Sequence, residues 1–97
     1  MLDLTVVILT YNEEIHIRRC LENVKQFASK VYIVDCFSTD KTVNIAKELG
    51  AEVVEHEWPG NQADQFNWAL DNLKIGTTWI LRLDADEYLS LIHISEP

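Results

Sequence analysis

Ninety-seven residues, 47% of them hydrophobic, supply one small core and no more, so the chain is one domain or part of one. Sixteen acidic against eight basic residues give a net charge of -8, which argues against nucleic acid as a partner and against a cationic helix that seeks an anionic membrane. Cys20 and Cys36 lack metal-ligand spacing and, with no cationic, apolar leader ahead of them, read as reduced, buried thiols of a cytoplasmic protein; no apolar run approaches membrane-span length.

Leu4–Thr10 is a nearly continuous β-branched and aliphatic run, the pattern of a strand covered on both faces. Asn12 is a candidate cap for a helix with Glu13 and Glu14 in its first turn and Ile17, Cys20, Leu21, Val24, Phe27 and Ala28 on its inward stripe. Lys30–Asp35 is a second strand. The polar turn Ser38-Thr39-Asp40 follows, and Thr39 or Asp40 is expected to cap a helix through Leu49, stopped by Gly50 in a left-handed conformation. Ala51–Glu55 is a weaker strand. After the turn Trp58-Pro59-Gly60-Asn61 comes a third helix with Ala63, Phe66, Leu70 and Leu73 on one face. A fourth strand, Thr77–Leu83, delivers Asp84-Ala85-Asp86-Glu87 at its C-terminal end. The alternation β-α-β-α-β-α-β predicts an α/β fold with a mostly parallel sheet, right-handed crossovers and helices on both faces.

In such sheets ligands bind beyond the carboxyl ends of the strands. Those ends carry Thr10-Tyr11-Asn12-Glu13, Asp35 and Asp84-Ala85-Asp86. Asp84 and Asp86, two apart on extended backbone, lie on one side and can share a hard divalent cation (Mg2+ or Mn2+) whose shell is completed by water and substrate phosphates. A bare D-x-D is more often a solvated acidic turn; its place after an apolar strand favours the metal. Asp35 closes a buried strand, where it must accept hydrogen bonds from backbone, base or sugar, or else cap a helix. Tyr11 either stacks on a nucleobase or is an ordinary half-buried aromatic, and its residue type alone favours the second. His16 and His56 lack metal-binding spacing and read as surface residues. Arg82, inside a strand, requires an exposed face or an acidic neighbour. There is no G-x-S-x-G, no phosphate-cradling glycine loop and no G-x-G-x-x-G, which excludes hydride transfer and P-loop chemistry.

Taken together, Val7-Ile8-Leu9-Thr10-Tyr11-Asn12-Glu13-Glu14, Ile33-Val34-Asp35 with Ser38-Thr39-Asp40, and Leu83-Asp84-Ala85-Asp86-Glu87 resemble the family 2 inverting glycosyltransferases, across roughly residues 2 to 89. His56-Glu57-Trp58-Pro59-Gly60 and Gln65-Phe66-Asn67-Trp68-Ala69-Leu70 resemble the bacterial members that build lipopolysaccharide core, capsule or exopolysaccharide. The resemblance implies the N-terminal part of a GT-A (Rossmann-like) fold over residues 1–90 and transfer of a sugar, with inversion, from a nucleotide diphosphate, usually UDP, to a glycan or lipid-linked acceptor. It implies that Thr10, Tyr11 and Glu13 line the nucleotide pocket, that Asp35 binds the base, that Asp84 lies near ribose and metal, and that Asp86 coordinates the cation that stabilises the leaving nucleotide. Cys36-Phe37 departs from the small or polar residues common in relatives.

The family's catalytic base belongs to a second half that nothing beyond about residue 90 matches, so the resemblance assigns no catalytic residue here and implies a fragment inactive by itself. Residues 91–97, Leu91-Ile92-His93-Ile94-Ser95-Glu96-Pro97, break the family pattern and resemble a translated adapter sequence, an artefactual tail. For the full-length protein the resemblance extends to peripheral association with the inner face of the membrane. The alternative is a receiver-like magnesium-binding signalling module with Asp35 as phosphoacceptor, against which stand Tyr11-Asn12-Glu13-Glu14 in place of paired aspartates and the lack of a late-strand lysine.

Overall fold

The computed structural model describes residues 3–84, with Asp84 described through its backbone. The expectations for Asp86 and for residues 91–97 lie outside the described residues. β1 (Leu4–Thr10) is buried at every position because it is an inner strand with helices over both its faces. β2 (Lys30–Asp35) pairs with it in parallel, Thr10 opposite Asp35, and β3 (Glu52–Glu55) pairs in parallel with β2. β4 (Trp79–Asp84) pairs in parallel with the other side of β1, Leu9 opposite Asp84. The order is therefore β3-β2-β1-β4. The chain winds outward from β1 through β2 to β3, then crosses back past β1, and crossovers of one hand run in opposite directions place their helices on opposite faces.

That is what the two cores show. Leu4, Val6 and Ile8 of β1, with Val31, Ile33, Leu81 and Leu83, pack under α1 (Glu14–Val24) and α2 (Thr42–Glu48). Val7, Leu9 and Val34 pack with Ala69 of α3 (Gln62–Asn72), flanked by Phe66, Trp68 and Ile80. The α/β class, the element order and the helices on both faces follow the sequence reading.

Several local expectations shift. α1 begins at Glu14, and Asn12 does not cap it: its φ is +50°, and its Oδ1 accepts from the Thr39 main chain at 2.8 Å. Ile17, Cys20, Leu21 and Val24 form the buried stripe, but the helix ends at Val24, so Phe27 and Ala28 belong to the turn that follows. Asp40 serves α2 from two residues ahead, its Oδ1 accepting from Thr42 N at 2.9 Å and from the Thr42 hydroxyl. Gly50, at φ +87°, is the left-handed stop expected. β4 starts at Trp79: just before it the Thr78 main-chain N–H donates to the Asp3 carboxylate (3.0 Å) and not into the ladder, the Thr78 hydroxyl joins it there (2.6 Å), and the Thr77 hydroxyl donates to Trp79 O (2.9 Å) and accepts from that of Thr5 (2.7 Å).

The expected face of α3 holds in part, since Phe66 and Leu73 pack on the core and Ala63 and Leu70 do not. Ala63 and Leu70 are exposed, while Gln65 and Ala69 are buried with Phe66, Trp68 and Leu73 partly so. An apolar periodicity passes over Gln65, whose amide finds partners inside. Asn61 caps this helix, its Oδ1 accepting from Asp64 N at 2.8 Å while its Nδ2 donates to the Asp64 carboxylate at 3.0 Å. Arg82 takes the exposed alternative. Both cysteines are free thiols, Cys20 buried and Cys36 half-buried.

Candidate functional site

Strand order reverses at β1, with β2 on one side and β4 on the other, and the loops leaving such a switch point separate to opposite faces of the sheet. A cleft of about 250 Å³ opens there, lined by Leu9, Thr10, Tyr11 and Glu13 from β1 and its loop, Val34 from β2, Trp58 from the turn before α3, and Gln62 and Gln65 from α3. Three of the residues expected to line a nucleotide pocket, Thr10, Tyr11 and Glu13, meet in it. Tyr11 is 57% exposed, so it is not the half-buried aromatic that its residue type favours. Trp58, 48% exposed, gives the cleft a second open ring.

Asp35 is fully buried beside the cleft and its charge is met by donors on every side. Oδ1 accepts from the Thr10 hydroxyl and the Ser38 hydroxyl, both at 2.6 Å, and Oδ2 accepts from Ser38 N at 2.7 Å. Asp35 caps no helix; it pins the start of the β2–α2 loop to the end of β1. The loop is then tied across to α1. Ser38 Oγ accepts from Asn12 N (2.8 Å), Thr42 Oγ1 from Glu13 N (2.8 Å), Asp40 Oδ2 from Glu14 N (3.1 Å) and Glu14 Oε1 from Lys41 N (3.0 Å). These side chains satisfy the main-chain donors that a helix start leaves open. Phe37 is carried at φ +54°, half-exposed, beside them.

Neither histidine is an isolated surface residue. His16 Nδ1 lies 2.9 Å from Glu13 Oε2, holding that carboxylate at the rim of the cleft. His56 is half-buried, its ring stacked on Trp68 with centroids 3.9 Å apart and its Nδ1 2.8 Å from Gln65 Oε1. Hydrophobic periodicity could not find Gln65 or Gln62, because both are polar residues on a helix read by its apolar positions; the stretch beginning at Gln65 was visible only through family resemblance.

Asp84 ends β4 with its Cα registered against Leu9, so the strand delivers its chain to the same edge as the cleft. Asp86 lies outside the described residues. Among the described residues no group of three or more His, Cys, Asp or Glu is placed to hold a metal ion, and no helix is long and apolar enough to cross a membrane. The receiver-like alternative finds no support in the geometry: Asp35 is sealed, both its oxygens engaged, and β1 ends at Thr10, followed by Tyr11-Asn12 and not by paired aspartates.

The profile of Glycosyl transferase family 2 matches residues 5–95. An uncharacterized glycosyltransferase of Rickettsia bellii is 45% identical over 87 residues, a match that takes in 90% of this chain and 29% of that protein. A prophage-derived glycosyltransferase of Bacillus subtilis is 32% identical over 91 residues, 90% of this chain and 21% of the relative. This chain spans less than a third of the length of the curated relatives it matches. Among solved structures, a mannosyltransferase of Pyrobaculum calidifontis in complex with GDP-Man and Mn2+ superposes with a TM-score of 0.71 at 26% identity, over 87% of this chain and 27% of that one. Glucosyl-3-phosphoglycerate synthase of Mycobacterium tuberculosis in complex with UDP shares the fold, with a TM-score of 0.73 at 20% identity over 88% of this chain and 34% of that one.

Proposed function

The chain belongs to glycosyl transferase family 2, and from that premise we propose that it is the donor-binding part of an enzyme that transfers a sugar from a nucleotide diphosphate, UDP by preference, to a glycan or lipid-linked acceptor of cell-surface polysaccharide or lipopolysaccharide. The observation that carries the reading is the cleft at the switch point, with Thr10, Tyr11 and Glu13 in its wall and Asp35 locked behind Thr10. Tyr11 and Trp58 give the cleft two exposed aromatic rings on which a flat base can stack, and the loops after β1 and β2 are tied together by their own hydrogen bonds, so little ordering remains to be done on binding.

Asp84 and Asp86 would hold a divalent cation. Two carboxylates suit a hard ion, and the described part of β4 ends at Asp84 beside Leu9, on the edge where the cleft opens. Bound there, the cation would neutralise the donor diphosphate. In this reading the chain binds and orients the donor, while the base that deprotonates the acceptor lies in a part of the domain beyond residues 1–90. Solved structures that share the fold include complexes with UDP and Mn2+ and with GDP-Man and Mn2+, which supports a nucleotide sugar and a divalent metal as a class.

Calorimetric titration of UDP into the chain, with Mn2+ and with chelator, tests the proposal. Binding is expected only with metal, and Asp86→Ala is expected to weaken it at least about tenfold with an unchanged circular dichroism spectrum. A folded chain that ignores UDP, or binds it equally with chelator and in Asp86→Ala, refutes the donor site as drawn.

A further inference from the structure

On the inward face of α3 a glutamine sits where an apolar residue would ordinarily go. Gln65 is 1% exposed, and both ends of its amide turn to one residue, His56. The His56 main-chain oxygen can only accept, so the nitrogen Nε2 is the end that faces it, at 3.4 Å. Oε1 is then the end against the His56 ring, 2.8 Å from Nδ1. Oε1 too can only accept, so Nδ1 carries the proton and Nε2 of the neutral ring is bare. The ring is not free to turn away. It stacks on Trp68, one turn along α3, at 3.9 Å and 18°, and its own main-chain N–H donates to Asp35 O at 2.9 Å. His56 thus rivets the end of β2 to α3 and dictates which end of the Gln65 amide points where.

An amide nitrogen has two protons, and the His56 oxygen takes one. Gln65 also lines the cleft with Thr10, Tyr11 and Glu13. We propose that Gln65 gives its second amide proton to an acceptor oxygen of the bound nucleotide, a base carbonyl or a diphosphate oxygen, and that His56 is the positioning residue that keeps nitrogen, not oxygen, turned to that ligand. A flipped amide would set oxygen against oxygen, so the orientation decides whether the contact attracts or repels. The inference rests on the nucleotide reading above.

Two measurements on the chain separate its parts. The first needs no ligand. At about pH 8.5, above the ordinary imidazole pKa of about 6.5, 15N resonances of the His56 ring, assigned by their loss in His56→Phe, are expected to show the Nδ1–H tautomer. The Nε2–H tautomer overturns the lock. The second is calorimetry of UDP and of uridine, with Mn2+, on wild type, His56→Phe, His56→Asn, Gln65→Leu and the His56→Phe/Gln65→Leu double variant. His56→Phe keeps a ring on Trp68 but has no donor, and is expected to lose about tenfold in UDP affinity. His56→Asn, whose amide nitrogen can stand where Nδ1 stood, is expected to recover most of it. The double variant is expected to bind no worse than Gln65→Leu, because His56 acts through Gln65. Losses that multiply in the double variant, or no rescue by asparagine, overturn the positioning role. Should Gln65→Leu fail to fold, the tautomer and the asparagine rescue still decide. A loss shared by uridine places the acceptor on the base, and a loss confined to UDP places it on the diphosphate. A folded wild type with the Nδ1–H tautomer that binds no UDP overturns the nucleotide reading and leaves the His56–Gln65 lock standing.

Discussion

Single residues at this site do work that their types leave undecided. Asp40 is one. Burial pushes its carboxyl up, but hydrogen bonds from the Thr42 side chain and main chain and from the Glu14 main chain outweigh that and hold it below the ordinary 3.8. The folded pKa is the lower one, so Asp40 contributes stability above the ordinary value and the contribution is lost as pH falls through the folded pKa. Asp40→Asn should therefore melt below wild type near neutral pH, with the gap closing as the pH drops below about 4. Thermal midpoints across that range check it, and a gap that persists in acid would assign the effect to shape and not to charge. Asp35, by contrast, read correctly from sequence as a buried strand-end carboxylate in need of donors; that the donors are Thr10 and Ser38 required the fold.

At the scale of elements, the loops after β1 and β2 hold each other. Asn12 sits at φ +50° and its Oδ1 accepts from Thr39 N, so it supplies both a left-handed residue and a crosslink. Asn12→Gly keeps the backbone and loses the crosslink, at about 1 kcal/mol. Asn12→Ala loses the crosslink and also strains the backbone, adding about 1 kcal/mol more. Urea midpoints should rank wild type above glycine above alanine; equal losses would mean that the left-handed backbone is not under constraint. The helix-capping signal at Asn12 was real as chemistry and wrong as address, because the competing donor came from residue 39, near only after β1 and β2 pair. α3 teaches the same lesson: of the apolar positions Ala63, Phe66, Leu70 and Leu73, only Phe66 and Leu73 pack on the core, and the innermost places go to Gln65 and Ala69.

For the molecule as a whole, the larger core under α1 and α2 carries the sheet. Leu21, fully buried, is central to it. Leu21→Ala should cost about 2–5 kcal/mol, a large share of the roughly 5–15 kcal/mol by which domains of ordinary stability are held. Chemical denaturation measures the loss directly, and a loss well under 1 kcal/mol would show that α1 is not docked through this face. Leu21 packs on the face opposite α3, so the variant reaches the cleft only through Glu13 at the start of α1.

The sequence by itself determined the α/β class, the order of seven elements, the double burial of β1 and the gathering of polar residues at strand ends. Those follow from local periods and turn chemistry, which neighbours along the chain decide. Only the tertiary structure decided that β4 lies beside β1 and not beyond β3, which sets the switch point and so the cleft. It alone brought Asn12 to Thr39, 27 residues on, once β1 and β2 had paired, and His56 to Gln65 across the turn before α3, since such side-chain hydrogen bonds leave no periodic trace in the sequence.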